Sequence, residues 1–325
     1  MARLALKQLL QENPRKVLVL DGGQGTELER RGINVANPVW STIPFIDDAF
    51  WSESSAERKI VEEMYRDFMK AGAEILMTVT YQASFKSVSE NTPITTLSEY
   101  NSLLTRIVDF ARGCVGEDKY LIGSIGSWGA HVCCEFTGDY GPNPETIDYY
   151  EYFKPQLENF NKSPQIDVIA FETIPNIHEI KAILSWDETI LSKPFYIGLS
   201  VDDNGLLRDG TTMAEIAEFI KSVGDKINPN FTLLGINCVS FNTSSDILAS
   251  IHKVLPDMPL LVYPNSGEVY DAERKVWHPN GDKSNTWDLV VKRYIEAGAR
   301  VIGGCCRTTP EDITEVSEAV KKYSE

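Results

Sequence analysis

Eight short apolar runs, each followed by a stretch of helical periodicity, leave this chain few ways to fold. The runs are "VLVLD" (Val17–Asp21), "EILMTVT" (Glu74–Thr80), "YLIGSIG" (Tyr120–Gly126), "DVIAFET" (Asp167–Thr173), "PFYIGLSV" (Pro194–Val201), "TLLGINC" (Thr232–Cys238), "PLLVYPN" (Pro259–Asn265) and "RVIGGC" (Arg300–Cys305). They are continuous rather than alternating, as strands covered on both faces require. Between them lie amphipathic stretches such as "ERKIVEEMYRDFMKAGA", in which Ile60, Met64, Phe68 and Ala71 share one face. "FMKAGAEILM" and "YIEAGARVIG" both end a helix on Ala-Gly-Ala and enter a strand at once. Gly72 and Gly298 suit the left-handed position that stops a helix. Eight strand–helix units predict an α/β fold, a (β/α)8 barrel of the TIM type, with a doubly wound open sheet as the alternative.

The connections sharpen that expectation. Helix-to-strand links are short, as at Ala71–Glu74, Val254–Pro259 and Gly298–Arg300. Strand-to-helix links are long: Gly22–Ser55, Tyr81–Thr95, Ser127–Pro144 and Ser266–Lys283. In a barrel the long set emerges at the C-terminal face, where active sites are built. The first long link carries its own short helix, "TELERRG". No linker, low-complexity segment or charge block interrupts the chain, so residues 1–325 are read as one domain.

With 31 basic and 47 acidic residues the net charge is −16. That disfavours nucleic acid or an anionic membrane as partner and is compatible with a cationic small molecule. "MARLALKQLL" is too short and too soon charged for a secretory signal, and no apolar run reaches a membrane span. A reducing, cytoplasmic compartment is expected. Six cysteines in this length do not form a disulfide framework, so their clustering points to chemistry or packing.

Cys238 ends the sixth run in "GINC", and Cys305 and Cys306 end the eighth in "GGCC". All three reach the same rim of a barrel. Three thiolates at one point make a zinc site with one of four tetrahedral positions left open. Consecutive strand residues point to opposite faces, so the strand must break for both vicinal cysteines to share an ion, and Gly303 and Gly304 are read as supplying that backbone freedom. Packing as small buried hydrophobes is the alternative. Cys133 and Cys134 form a second pair in "AHVCCEF", beside His131 and Glu135, without Cys-x-x-Cys spacing, and are read as packing or redox residues. His131, His178, His252 and His278 are scattered and give no metal motif.

"LDGGQGTELERRG" follows the first strand. It is neither Gly-x-Gly-x-x-Gly nor a P-loop, but a glycine-rich turn into a helix presents backbone N–H groups to an anion. Asp21 ends that strand, and Glu172, in "FETIP", ends the fourth. Both project into a barrel mouth and can flank one cation. A ligand with a carboxylate on the amides and an ammonium between two acids is an amino acid. A cap or surface role for each acid is the plain alternative.

These residues carry a resemblance over essentially the whole chain. "LDGGQGTELERRG", "TVTYQASF", "FETIP", "GINC", "YPNSGE" and "GGCCRTTP" resemble the homocysteine S-methyltransferases, in particular the branch that uses S-adenosylmethionine or S-methylmethionine. The family's fold is a (β/α)8 barrel. By position the resemblance implies that Cys238, Cys305 and Cys306 are zinc ligands. It implies that Asp21 and Glu172 hold the homocysteine ammonium, and that the amides of Gly23, Gln24, Gly25 and Thr26 meet its carboxylate. Asn237 would shape the same pocket.

Two positions depart from relatives. Thr173 stands where the betaine-using branch has a tyrosine, and Ser127 where many relatives have proline. The chemistry implied is zinc-dependent methyl transfer from a sulfonium to the homocysteine thiolate, forming methionine, with Trp128 or Tyr81 as rings that attract the sulfonium. The missing Asp-x-His-x-x-Gly motif disfavours a cobalamin enzyme, and the missing C-terminal extension disfavours betaine. Seleno-analogues suit the same zinc. A non-catalytic amino-acid sensor on the same barrel is the rival from another class.

Overall fold

The eight runs become the strands of one parallel sheet in the computed structural model, which describes residues 3–271, 276–278 and 285–324. In chain order they are β1 (Leu18–Val19), β2 (Ile75–Met77), β3 (Tyr120–Gly126), β4 (Val168–Ile174), β5 (Phe195–Leu199), β6 (Phe231–Asn237) and β7 (Leu260–Tyr263). A short antiparallel pair, β8 (Val269–Asp271) and β9 (Val276–His278), precedes the eighth barrel strand, β10 (Ala299–Ile302). Neighbours run β1-β10-β7-β6-β5-β4-β3-β2. The ring closes through a parallel bridge between Leu20 and Ile75, beside which the Asp21 N–H donates to the Ile75 carbonyl at 3.0 Å. The expected barrel therefore forms, and the open-sheet alternative fails because the two end strands meet.

The strand periodicity of two sorts the apolar side chains into two cores. Leu18, Leu20, Ile75, Ile122, Val168, Ala170, Tyr196, Leu233, Leu261 and Val301 make one inner cluster. The other phase, including Val19, Leu76, Leu121, Ile169, Ile197, Leu234 and Ile302, joins the helices in a larger outer cluster. On helix Ala56–Lys70 the buried face is Val61, Met64, Tyr65 and Phe68, with Ile60 only half-buried, so it turns slightly from the expected one. Gly72 and Gly298 adopt φ of +108° and +84°, as the helix-stop reading requires.

One element was not foreseen. Helix Leu6–Glu12 inserts Leu6 and Leu10 into the inner cluster and so plugs the floor of the barrel. Arg300 clamps it, donating to the carbonyls of Leu10, Asn13 and Lys16. With the floor shut, ligands reach the interior from the opposite rim. The long rim connections contain helices Gln24–Arg30, Phe85–Asn91 and Trp128–His131. Of the expected Ser266–Lys283 connection, residues 272–275 and 279–283 lie outside the described residues.

Candidate active site

β6 and β10 lie on either side of β7, and their ends carry the three cysteines. Cys238 follows β6 with φ of +50°, a turn out of the strand that its N–H steadies on the Tyr263 carbonyl. The Cys305 N–H donates to the Pro264 carbonyl at 2.7 Å, and the Ser266 N–H donates to the Cys306 carbonyl at 3.1 Å. The segment after β7 thus ties both cysteine loops together. The sulfurs of Cys238, Cys305 and Cys306 lie within 4.8 Å of one another, all on half-buried residues, and could hold a metal ion. Cys238 and Cys306 are 4.0 Å apart, near the edge of about 3.8 Å that a tetrahedral Zn–S4 site imposes. The sulfurs of Cys238 and Cys305 lie against each other in the same cluster. Burial pushes the Cys306 thiol up to about 11.

β10 ends at Ile302, so the strand breaks where expected, but not for the expected reason. Neither Gly303 nor Gly304 has positive φ. A Cβ on Gly303 would lie 2.8 Å from the Asp21 carbonyl oxygen, and one on Gly304 2.2 Å from Thr308 Oγ1. These glycines supply space, not rotation. Gly23 is their counterpart, since its Cβ would lie 2.2 Å from the Cys305 carbonyl oxygen. The glycine loop after β1 and the cysteine loop after β10 are pressed together.

That contact bears on the anion reading. The Gly23 N–H is already committed to Thr308, at 3.1 Å to its carbonyl and 2.9 Å to Oγ1. Gln24, Gly25 and Thr26 open helix Gln24–Arg30, so their N–H groups have no carbonyl of that helix behind them. The Gln24 side chain donates to Asp21 Oδ2 at 2.7 Å and to the Met77 carbonyl at 2.8 Å. Thr26 Oγ1 accepts from the Arg307 N–H at 2.8 Å, a second link between the two loops.

Both acids lie in the barrel. Asp21 is 1% exposed and also accepts from the Met77 N–H at 3.0 Å. Burial, with a smaller push from Glu172, raises its carboxyl to about 8. Glu172 extends the inward row Val168, Ala170, and accepts from Ser124 Oγ and from the Tyr263 hydroxyl, the latter at 3.2 Å. Burial raises it to about 7. Two buried carboxyls whose charges repel make a place that a cationic group would stabilise.

Asn237 is tied to the end of β4. Its carboxamide accepts from the Thr173 N–H at 2.9 Å and donates to Thr173 Oγ1 at 2.7 Å. Thr173 has φ of +59°, uncommon for a β-branched residue, and Asn237 holds it there. Asn237 therefore braces Thr173, the residue after Glu172. Ser127 caps helix Trp128–His131 by accepting from the Ala130 N–H at 3.0 Å, a role proline cannot fill. Tyr81 lies close enough to Glu172, Thr173 and Cys306 to interact with each. The Trp128 ring instead packs against Tyr152, His131 and the Lys86 ammonium.

Ser124, Tyr263 and Thr308 were missed. Ser124 and Tyr263 occupy the inward phase beside Glu172, a signal that strand alternation carries. Thr308, in "GGCCRTTP", is identified only by its contact with Gly23. Among the described residues Cys133 and Cys134 join no metal-type cluster: Cys133 is exposed, and Cys134 Sγ reaches the Val132 carbonyl at 3.5 Å.

Comparison with known proteins settles the class. A model of the homocysteine S-methyltransferase family matches residues 18–320. The chain belongs to the homocysteine S-methyltransferases. It is 75% identical to homocysteine S-methyltransferase 2 of Saccharomyces cerevisiae over 325 residues, all of both chains. Its structure is similar to that of the homocysteine methyltransferase MmuM from Escherichia coli. The metallated form aligns with TM-score 0.74 at 26% identity and the oxidized form with 0.77 at 27%, each over 97% of this chain and 99% of that one. Full-length identity to a curated enzyme makes this chain a methyltransferase acting on homocysteine and disposes of the sensor alternative. No helix among the described residues is long and apolar enough to cross a membrane.

Proposed function

We propose that the enzyme transfers a methyl group from a sulfonium, S-adenosylmethionine or S-methylmethionine, to homocysteine held at a zinc site, forming methionine in the cytoplasm. The observation that carries this is the convergence of three sulfurs from β6 and β10 on the mouth that also holds Asp21 and Glu172. The donor set is right for zinc: three soft ligands whose sulfurs all lie within 4.8 Å of one another, leaving one of four tetrahedral positions for a substrate sulfur. Cys238, Cys305 and Cys306 would be the ligands. When bound, zinc would keep the homocysteine sulfur deprotonated near neutral pH, where a free thiol of pKa ~8.5 is mostly protonated.

The remaining work falls to this chain's own groups. Asp21 and Glu172 take the homocysteine ammonium, and its arrival favours their ionised forms. The open N–H groups of Gln24, Gly25 and Thr26 face its carboxylate, while Gly23, whose N–H is committed to Thr308, sets the turn. Asn237 and Thr173 fix the wall behind Glu172. With the amino-acid end anchored on three elements, the sulfur is aimed along one line. A lone pair of the thiolate forms the new S–C bond as the methyl leaves the sulfonium sulfur, which keeps the bonding pair and becomes a neutral sulfide. No proton moves in that step, so no general base is needed and positioning supplies the catalysis. A metallated form of the Escherichia coli relative is in keeping with this reading.

The test is methionine formation from homocysteine with each sulfonium, and with betaine, before and after zinc chelation. Chelator-sensitive methionine from a sulfonium supports the proposal. Full activity in metal-free protein would remove zinc from it, and transfer only from betaine would remove the sulfonium.

A further inference from the structure

β7 serves both ends of the pocket, and one of its residues touches each. The Tyr263 carbonyl accepts from the Cys238 N–H at 3.2 Å, and the next carbonyl, of Pro264, accepts from the Cys305 N–H at 2.7 Å. The two cysteine loops therefore hang from consecutive carbonyls of one segment. The Tyr263 hydroxyl donates to Glu172 Oε2 at 3.2 Å. Glu172 belongs to β4, and β5 and β6 stand between the two strands in the barrel wall. The Tyr263 ring thus reaches across the interior past both. A Cβ on Gly198, of β5, would lie 2.9 Å from that hydroxyl oxygen, so glycine leaves the room the ring needs.

Both partners are buried, and the Tyr263 hydroxyl is backed by that of Tyr196, on β5, at 3.4 Å. On its other oxygen Glu172 accepts from Ser124 Oγ. Ser124 is itself fixed. Its N–H donates to Thr78 Oγ1 at 3.0 Å, and its carbonyl accepts from Thr80 Oγ1 at 2.8 Å and from Gln156 Nε2 at 3.0 Å. A carboxylate bonded from β3 and from β7 is locked in place and cannot follow a displaced cation.

We infer that Tyr263 is a positioning residue that fixes the separation between Glu172 and the sulfur cluster, and so makes the site select homocysteine over the shorter cysteine. This rests on Glu172 taking the substrate ammonium, as proposed above. Homocysteine carries two methylenes between its α-carbon and its sulfur, and cysteine carries one. With Glu172 and the sulfurs referred to the same segment of β7, a ligand shorter by a methylene misses one of them. Without the hydroxyl, Glu172 can swing toward the shorter ligand and holds the longer one less well.

The test is calorimetric binding of homocysteine and of cysteine to the enzyme supplied with zinc, which needs no methyl donor. Tyr263→Phe keeps the ring and the backbone carbonyl and removes only the hydroxyl. Its homocysteine Kd is expected to rise about tenfold, as loss of a hydrogen bond to a charged group implies. The preference for homocysteine over cysteine should fall about fivefold or more, with zinc content unchanged. In a Glu172→Gln background the same change should alter homocysteine Kd by less than about twofold, because the group it acts through is gone. An unchanged homocysteine Kd, equal weakening of both thiols, the same loss in the Glu172→Gln background, or loss of zinc overturns the inference. Glu172→Gln alone separates the two readings. If it leaves homocysteine binding intact, the ammonium assignment fails. If it weakens binding and Tyr263→Phe does not, only the inference on Tyr263 falls.

Discussion

Cys133–Cys134 and Cys305–Cys306 are the same dipeptide in one barrel, and they meet different ends. The second pair leaves β10 beside β7, where backbone hydrogen bonds to Pro264 and Ser266 press it toward Cys238. The first pair sits in the loop after β3 with an exposed thiol and no third sulfur. Adjacency in sequence did not make the cluster. Strand order did, by setting the ends of β6 and β10 on either side of one strand.

The largest effect expected from this contrast is on metal. Cys238→Ser or Cys306→Ser should lose bound zinc and cut methyl transfer by at least about a hundredfold. Cys133→Ser with Cys134→Ser should leave zinc stoichiometry and homocysteine KM within about twofold. Metal analysis and initial rates decide, and equal losses in both sets would erase the distinction.

Next is the packing that supports each pair. Gly23→Ala drives a Cβ into the Cys305 carbonyl, where backbone must move, and should cost about 3 kcal/mol with weakened zinc affinity. Gly129→Ala, under the first pair, meets the side-chain atoms Tyr140 Oη at 2.8 Å and Pro175 Cγ at 2.9 Å, with backbone no nearer than Glu135 Cα at 3.2 Å. About 1 kcal/mol and unchanged zinc affinity are expected there. Denaturant unfolding and metal titration would measure both, and an equally mild Gly23→Ala would contradict the pressed-loop arrangement.

Asn237→Ala removes both hydrogen bonds that hold Thr173 at positive φ, at a cost of about 2 kcal/mol. Because Thr173 adjoins Glu172, homocysteine KM should rise while zinc content holds. Loss of stability without a change in KM would make Asn237 a packing residue only.

The last expectation concerns pH. Asp21 and Glu172 titrate near 8 and 7 in the folded protein, above their ordinary range, so the folded state holds protons that the unfolded chain has released. Stability of the substrate-free enzyme should therefore fall as pH rises from about 5 through 8. Homocysteine, which brings the cation, should offset the fall. Melting temperatures across that range, with and without homocysteine, test the sign. A rise with pH in the substrate-free enzyme would mean that these carboxyls are not buried as described.

The barrel was legible because parallel strands buried on both faces must be continuous apolar runs, and the long connections all fell on one side of them. Cys238, Cys305, Cys306, Asp21 and Glu172 were legible because each ends such a run. What was not legible depended on contact between distant segments. That Gly303 and Gly304 serve close approach cannot be read without the Asp21 carbonyl beside them. The commitment of the Gly23 N–H to Thr308, and of Asn237 to Thr173, has no local signature. Helix Leu6–Glu12 was passed over because its two buried leucines make sense only under the barrel's open end.

The pressing of Gly23 against Cys305 bears on how this enzyme can change. A variant that enlarged either loop would be rejected by the other, so the loops after β1 and β10 can be inherited or transplanted only as a matched set.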